Sequence, residues 1–194
     1  MNHHDALAIL HDHRPAGSVI VATMGSGGLW PSFSETPLDF CYLPSSMGQG
    51  VPLGLGLALA RPGRRVIVLC GDGGLLMNLG CLVTLADHPT VAVTVLLIDN
   101  GLSEVTGGQP RAGQRVDFAG LARAAGVQRV VACPDRESWS AAAAEMVSGD
   151  GPAFAWLTVE GRFGQKTPTA PRPMAEQVMR LRQALSPTVS SNRD

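Results

Sequence analysis

The sequence has no long apolar run, no excess of either charge and few aromatic side chains. None of its apolar stretches reaches the roughly 20 residues that a helix needs to cross a bilayer, so we expect no contact with a membrane. Its 15 basic and 16 acidic residues leave a net charge of −1, which argues against a nucleic-acid partner. The N-terminal residues show no basic flank before an apolar core, and we therefore expect no signal peptide.

Cysteine is also scarce, and its positions do not form pairs. Cys41, Cys70, Cys81 and Cys133 show neither a CxxC motif nor the spacing of a zinc site. Free cysteines are commonly buried, and the cytoplasm keeps thiols reduced. We therefore expect reduced, mostly buried thiols in a cytoplasmic protein.

Glycine is abundant, with 23 among 194 residues, and short apolar runs alternate with helical patterns. The runs at 18–23, 65–70 and 91–98 have the composition of strands buried on both faces. Further strands are predicted at 129–132 and 153–159, and helices at 3–13, within 44–60, and at 75–87, 117–126, 136–147 and 174–185. Repeated strand–helix units predict one α/β domain over 1–185, a three-layer parallel sheet flanked by helices. We expect 161–173 to be extended and 186–194 to be a disordered tail.

Three of the predicted strands end in unusual loops: MGSGG at 24–28, GDGG at 71–74 and DNG at 99–101. Ligands of open parallel sheets bind beyond the carboxyl ends of the strands. Asp72 lies between glycines that allow close approach of a ligand, and before a helix whose amides favour an anion. A carboxylate beside a phosphate requires a cation between them, and Asn100 offers a second oxygen. The pattern predicts a metal-bridged diphosphate site; the alternative is a plain turn with Asp72 as an N-cap.

The stretch from Leu43 to Pro110 resembles the thiamine-diphosphate-dependent sulfopyruvate and phosphonopyruvate decarboxylases. The motifs that carry the resemblance are SMG at 46–48, GDGGLLMNLG at 71–80 and DNGLSEVTGGQ at 99–109. The chain is most similar to the separate β subunit of the two-subunit sulfopyruvate enzymes, and a weaker, colinear similarity extends to about Leu185. The resemblance implies the thiamine-diphosphate-binding fold, in its diphosphate-binding domain, with thiamine diphosphate and Mg²⁺ as cofactors.

The resemblance also implies which residues hold the metal and bend the cofactor. Asp72 and Asn100 correspond to the side-chain ligands of Mg²⁺, and the carbonyl of Leu102 to the backbone ligand. Met47 corresponds to the bulky apolar residue that forces the cofactor into a bent shape, although a Met can also simply fill a core. The amide of Met47 and the carbonyl of Ser45 correspond to the groups that hold the aminopyrimidine edge.

Further residues are implied to contact the diphosphate or the substrate. Glu104 and Gln109 could face the substrate, with a solvated loop carboxylate as the alternative for Glu104. Arg111 is a candidate for an anionic substrate tail, and an exposed loop arginine is its alternative. The Ser26 match is less clear, because an ordinary helix cap would look the same. The residues implied to contact the diphosphate are Gly25, Ser26, Gly71, Gly73, Gly74 and Val105.

The resemblance implies that activity needs a Glu from a separate pyrimidine-binding domain. We expect no second domain of that kind in this chain. The resemblance therefore implies a partner subunit, a pyrimidine-binding domain carrying that Glu, in a hetero-oligomer of α2β2 or larger. It implies decarboxylation of a 3-substituted pyruvate, a small 2-oxoacid, with the cofactor as electron sink. Three alternatives stay open: a split carboligase of the acetolactate-synthase or transketolase type, a nucleotide-binding Rossmann domain, and a non-catalytic structural subunit. The N-terminal histidines His3, His4, His11 and His13 could mimic a metal cluster, but they lack a pattern of supporting hydrogen-bond partners and are interpreted as a solvated helix end.

Overall fold

The computed structural model of the chain describes residues 1–161 and 169–186. The strands of the main sheet are β1 (Val19–Thr23), β2 (Asp39–Tyr42), β3 (Val66–Gly71), β4 (Val93–Asp99), β7 (Arg129–Cys133) and β8 (Ala153–Thr158). They form a six-stranded sheet in the order β2-β1-β3-β4-β8-β7, and every pair in it is parallel. A short antiparallel pair, β5 (Leu102–Ser103) and β6 (Gln109–Pro110), lies beyond the end of β4.

Helices cover both faces of the sheet and create two apolar cores. They are α1 (His3–His13), α2 (Met24–Leu29), α3 (Gly50–Ala60), α4 (Asp72–Leu76), α5 (Gly80–Ala86), α6 (Phe118–Ala124), α7 (Arg136–Ser148) and α8 (Met174–Leu185). Side chains of α1 and α7 pack on one face of the strands, and those of α3, α5, α6 and α8 on the other. The predicted three-layer parallel α/β architecture is confirmed.

The strands follow the prediction because they are apolar on both sides. All five side chains of β1 and all seven of β4 are buried, as expected for central strands of a covered parallel sheet. The edge strand β2 escaped prediction: its sequence DFCY is short and mixed, and only its two middle residues are buried. β2 is stabilised as a strand by its parallel pairing with β1, because its local sequence pattern alone does not specify one.

Two local predictions were wrong. The glycine-rich segment after β1 is a helix, α2, where a turn was predicted. A Cβ at Gly27 would lie 2.8 Å from the carbonyl oxygen of Ala22, so this glycine allows the helix to pack closely on the strand end. The helix predicted at 75–87 is two helices, α4 and α5. The break between them includes Asn78, whose side chain donates to the carbonyl of Gly48 (3.0 Å).

The structure also bears on the predictions for the cysteines and for a membrane span. All four cysteines are free and buried. Burial raises the pKa of the Cys41 thiol to about 12 and the pKa of the Cys81 and Cys133 thiols to about 11. No helix in the described part of the chain is long and apolar enough to span a bilayer. The predicted extended segment at 161–173 and the predicted tail at 186–194 fall largely outside the described residues.

The register of the sheet brings the chemically active loops together. Gly71, the last residue of β3, pairs with Ile98 in β4, so the residues that follow, Asp72 and Asp99, are level with each other. Gly101 then adopts a left-handed conformation (φ +68°), which turns the chain into β5. The carboxyl ends of β1, β3 and β4 therefore meet at one edge of the sheet.

Candidate functional site

A cleft of about 930 Å³ opens at this edge of the sheet. It lies beyond the carboxyl ends of β1, β3 and β4, between the loop at 45–48 and the segment at 102–106. Its lining includes most of the residues singled out from the sequence: Gly25, Ser26, Ser45, Met47, Gly71, Asp72, Gly73, Gly74, Asn100, Leu102, Glu104 and Val105.

Asp72 is the buried carboxylate at the floor of this cleft, with 3% of its surface exposed. Its Oδ2 accepts two hydrogen bonds, from the amide of Gly101 (3.1 Å) and from Nε of Arg111 (2.5 Å). Its Oδ1 accepts from the amide of Gly73 (2.9 Å), the residue next to it. Since a carboxylate oxygen has about two acceptor positions, Oδ1 retains capacity for a further partner.

A second buried carboxylate, Asp99, lies beside Asp72. Asp99 Oδ1 accepts from Arg111 Nη2 (3.3 Å), and Asp99 Oδ2 accepts from the indole of Trp156 (2.9 Å). Burial, reinforced by the neighbouring Asp99, raises the pKa of Asp72 to about 7, while the Gly73 amide and Arg111 oppose that rise. Two carboxylates and one guanidinium leave this buried group one negative charge in excess when both acids are ionised. A divalent cation would compensate that charge.

The donor set around Asp72 suits a magnesium ion. Asn100 lies on the cleft at the tip of β4, and its Oδ1 accepts the amide of Leu102 (2.9 Å). Asp72, Asn100 and the Leu102 carbonyl would supply only oxygen ligands, which Mg²⁺ prefers. Within residues 1–161 and 169–186 no cluster of three His, Cys, Asp or Glu side chains could hold a metal. Such a sparse set fits an ion whose remaining ligands are phosphate oxygens and water.

The glycines at the end of β3 are explained better by a bound ligand than by contacts within the protein. A Cβ built on Gly71 or Gly73 would meet no described atom within 4 Å, and neither residue has a positive φ. Neither crowding nor backbone conformation therefore requires glycine at these two positions. Close approach of a phosphate to the backbone is a physical reason for both. A Cβ built on Gly74 would lie 3.8 Å from the amide nitrogen of Gly48, which is an ordinary van der Waals contact.

The opposite end of the cleft is more open. Met47 is 37% exposed, although it lines the cleft. The loop of Met47 is anchored through Gly48, whose carbonyl accepts from Asn78. Ser45 is half-buried, with its hydroxyl 2.9 Å from the sulfur of Met24. The plain core-packing alternative for Met47 does not describe a side chain with this exposure.

The structure separates the three residues that the sequence placed near a substrate. Glu104 is half-buried in the cleft; a Cβ on Gly25 would lie 3.6 Å from its Oε2. Gln109 is exposed and does not line the cleft, although its amide donates to Thr106 (2.6 Å), which does. Arg111 is buried, only 5% exposed, so it is neither an exposed loop residue nor a cleft residue available to an anionic tail.

Sequence reasoning missed two further features of the site. His3 is half-buried at the cleft, with Nε2 3.0 Å from Ser26 Oγ, so a solvated helix end does not describe it, whereas His4, His11 and His13 are exposed as that interpretation predicts. Ser26 itself is buried at this contact and lies within α2, whose N-cap is Thr23. The Asp72–Asp99–Arg111 group was missed as well. The signal that could have indicated it is the pair of acids at adjacent strand tips, which requires a nearby cation.

Comparison with known proteins gives the family of the chain. Residues 30–155 match the model described as "Thiamine pyrophosphate enzyme, C-terminal TPP binding domain". The chain is 34% identical over 154 residues to phosphonopyruvate decarboxylase of Streptomyces viridochromogenes, covering 79% of this chain but 38% of that protein. It is 38% identical over 129 residues to sulfopyruvate decarboxylase subunit beta of Methanothermobacter thermautotrophicus, covering 66% of each.

The fold comparison agrees with the sequence comparison. Benzoylformate decarboxylase from Polynucleobacter necessarius matches with a TM-score of 0.67 at 17% identity, over 86% of this chain and 34% of that one. This likeness establishes the fold. The matched family segment runs from Trp30 to Ala155, within β8, and contains Asp72, Gly73, Gly74 and Asn100. The chain therefore belongs to the family of C-terminal thiamine pyrophosphate-binding domains of thiamine pyrophosphate enzymes.

Proposed function

We propose that this chain is the diphosphate-binding subunit of a thiamine-diphosphate-dependent 2-oxoacid decarboxylase that acts on sulfopyruvate or phosphonopyruvate. The observation that carries the proposal is the meeting of Asp72 and Asn100 at adjacent strand tips, beside open glycines in one cleft. The names of the relatives support the substrate class, since both act on a pyruvate with an anionic 3-substituent.

The proposed role of the chain at the inner end of the cleft is to fix the metal and the diphosphate. Asp72, Asn100 and the Leu102 carbonyl hold Mg²⁺. The groups that hold the diphosphate are the backbone of Gly71, Gly73 and Gly74, the Val105 amide, and the loop of Gly25 and Ser26. Bound cofactor supplies an electron sink for decarboxylation. At the outer end Met47 supports the bent cofactor, while the Met47 amide and Ser45 carbonyl hold its aminopyrimidine edge. Glu104, on the cleft wall, faces the substrate.

A partner subunit completes the proposed site. Phosphonopyruvate decarboxylase of Streptomyces viridochromogenes is a longer chain, of which this one spans 38%, and the second relative is named a beta subunit. We infer a pyrimidine-binding subunit that brings the catalytic Glu, in an α2β2 or larger assembly. The exposure of Met47 and Val105 on the cleft supports a surface that such a partner covers. Four buried free cysteines support a cytoplasmic location.

Calorimetric titration with thiamine diphosphate tests the binding part of the proposal. We expect binding in the presence of Mg²⁺ and its loss when the metal is removed with a chelator. Metal-independent binding of equal strength would contradict the bridged diphosphate.

Product analysis tests the reaction. The chain is combined with a pyrimidine-binding subunit from the same organism and supplied with sulfopyruvate or phosphonopyruvate. We expect CO₂ and the corresponding aldehyde. A longer-chain product from a second keto acid would instead indicate a carboligase.

A further inference from the structure

Arg111 is a buried cation beside the proposed metal site, and all three nitrogens of its guanidinium donate hydrogen bonds. Nε donates to Asp72 Oδ2 (2.5 Å), and Nη2 donates to Asp99 Oδ1 (3.3 Å). Nη1 donates to the carbonyls of Ala112 (3.0 Å) and Gly113 (2.7 Å). The guanidinium carbon lies over the Phe118 ring, 5.0 Å from the ring centroid. A side chain held at this many points has little freedom to move.

These contacts divide the two oxygens of Asp72 between different tasks. Oδ2 is held from two directions, by Arg111 and by the Gly101 amide, whereas Oδ1 keeps acceptor capacity beside Gly73. Rotation of the carboxylate about its Cβ–Cγ bond would break both bonds to Oδ2. The orientation of Oδ1 is therefore fixed by contacts made at the other oxygen.

Asp99 and Trp156 anchor Arg111 in turn. Asp99 accepts from Arg111 through Oδ1 and from the Trp156 indole through Oδ2, so its carboxylate cannot turn freely either. The chain of contacts runs from β8 through the tip of β4 to the tip of β3. The three charged members are buried: Asp72 is 3%, Arg111 5% and Asp99 7% exposed, and Trp156 is half-buried.

We propose that Arg111 is a positioning residue for the metal site, which holds Oδ2 of Asp72 so that Oδ1 is presented to the divalent cation. The inference rests on the metal site proposed above. Arg111 acts through Asp72 and touches neither metal nor substrate. The planar guanidinium of an arginine can donate to two carboxylates at once. A lysine ammonium does not have that geometry.

The choice of metal distinguishes positioning from a general structural role. Mg²⁺ requires near-ideal octahedral geometry at about 2.0–2.1 Å, whereas Ca²⁺ accepts longer and more variable distances. A carboxylate that is free to rotate should therefore lose Mg²⁺ affinity much more than Ca²⁺ affinity. A variant that merely loosens the fold should lose both to the same extent.

The test is a titration of each metal into the chain with saturating thiamine diphosphate, for the unmodified protein, Arg111→Lys and Asp99→Asn. Loss of a supporting contact to a metal ligand typically weakens binding 10- to 100-fold. We expect Arg111→Lys to lose about tenfold or more in Mg²⁺ affinity and less than about threefold in Ca²⁺ affinity. Asp99→Asn, which keeps the volume of the side chain, should show a smaller shift of the same selectivity, and decides the matter if Arg111→Lys does not fold.

Arg65→Lys is the matched control. Arg65 is also partly buried and donates to backbone carbonyls, those of Ser148 and Gly149, but it lies at the opposite end of β3. It should leave both metal affinities unchanged. Equal losses of Mg²⁺ and Ca²⁺ in the Arg111 and Asp99 variants, or no loss, would overturn the positioning role. A gain in Mg²⁺ affinity would also overturn it, because Arg111 would then be a competitor of the metal. Absence of metal binding in the unmodified chain would instead contradict the proposed function itself.

Discussion

The two ends of the cleft differ in how completely the chain builds them. At the inner end Asp72, Asp99 and Arg111 are buried and joined by hydrogen bonds to the strand tips. At the outer end Met47 exposes more than a third of its surface. An anion and a metal need fixed charges and dipoles, which this chain supplies before any ligand arrives. The outer end has the apolar, open character of a surface that another molecule covers.

The largest expected effect comes from removing the charge at the inner end. Asp72→Asn keeps the size of the side chain and leaves Arg111 its bond to Asp99, but it removes the negative charge that attracts the cation. We expect the affinity for thiamine diphosphate with Mg²⁺ to fall about 100-fold or more, measured by calorimetry.

Asp135→Asn is the control for this change. Asp135 is the exposed N-cap of α7, and Asn serves equally well at that position. Circular dichroism should show folded protein in both variants. Undiminished cofactor binding by Asp72→Asn would remove Asp72 from the site.

A second change tests whether a bound phosphate lies against the backbone of Gly73. Gly73→Ala adds a methyl group that meets no described protein atom within 4 Å, so the melting temperature should not fall. We expect cofactor affinity to drop more than tenfold, because the methyl would occupy the space that a phosphate needs.

Gly56→Ala is the matched substitution, since its Cβ also meets nothing within 4 Å but it lies in α3, outside the cleft lining. It should raise stability by about 0.5–1 kcal/mol and leave binding unchanged. Equal binding by both alanine variants would show that no ligand approaches Gly73.

The pH dependence sharpens the comparison because Asp72, at the inner end, is a carboxylate with a raised pKa. Burial and Asp99 raise the pKa of Asp72 to about 7, so the residue is ionised at pH 8 and protonated at pH 6. Mg²⁺ binds the ionised form, and its apparent affinity should fall about tenfold from pH 8 to pH 6. The Asp72→Asn variant supplies the baseline, since any dependence that remains there belongs to the cofactor's own phosphates.

The smallest effect on binding is expected at the outer end. Met47→Ala should change cofactor affinity less than about threefold, because the side chain is already 37% exposed and contributes little buried area. Turnover in the presence of the partner should fall more than binding does, since the bent cofactor loses its support. Met77→Ala, at an exposed residue that also lines the cleft, should change neither. A selective loss of binding in Met47→Ala would contradict this division of roles.

The sequence predicted the parts of the fold and the site that depend on local pattern. Mostly apolar, β-branched runs such as β4 are typical of central strands, and Asp72 among glycines at a strand end already indicates a ligand. Arg111 lies 39 positions from Asp72, and nothing in its neighbours indicates that it turns inward. The helix α2 depends on the contact of Gly27 with the end of β1. Such features arise from tertiary packing, which overrides local propensity.

The central claim is that Asp72 and Asn100 share a divalent cation with a diphosphate at the tips of β3 and β4. Crystals grown with thiamine diphosphate and Mn²⁺, which replaces Mg²⁺ and scatters anomalously, would locate that cation directly. We expect one anomalous peak within about 2.0–2.3 Å of Asp72 Oδ1, Asn100 Oδ1 and the Leu102 carbonyl oxygen. A peak elsewhere, or a cleft that contains cofactor without a metal beside Asp72, would contradict the claim.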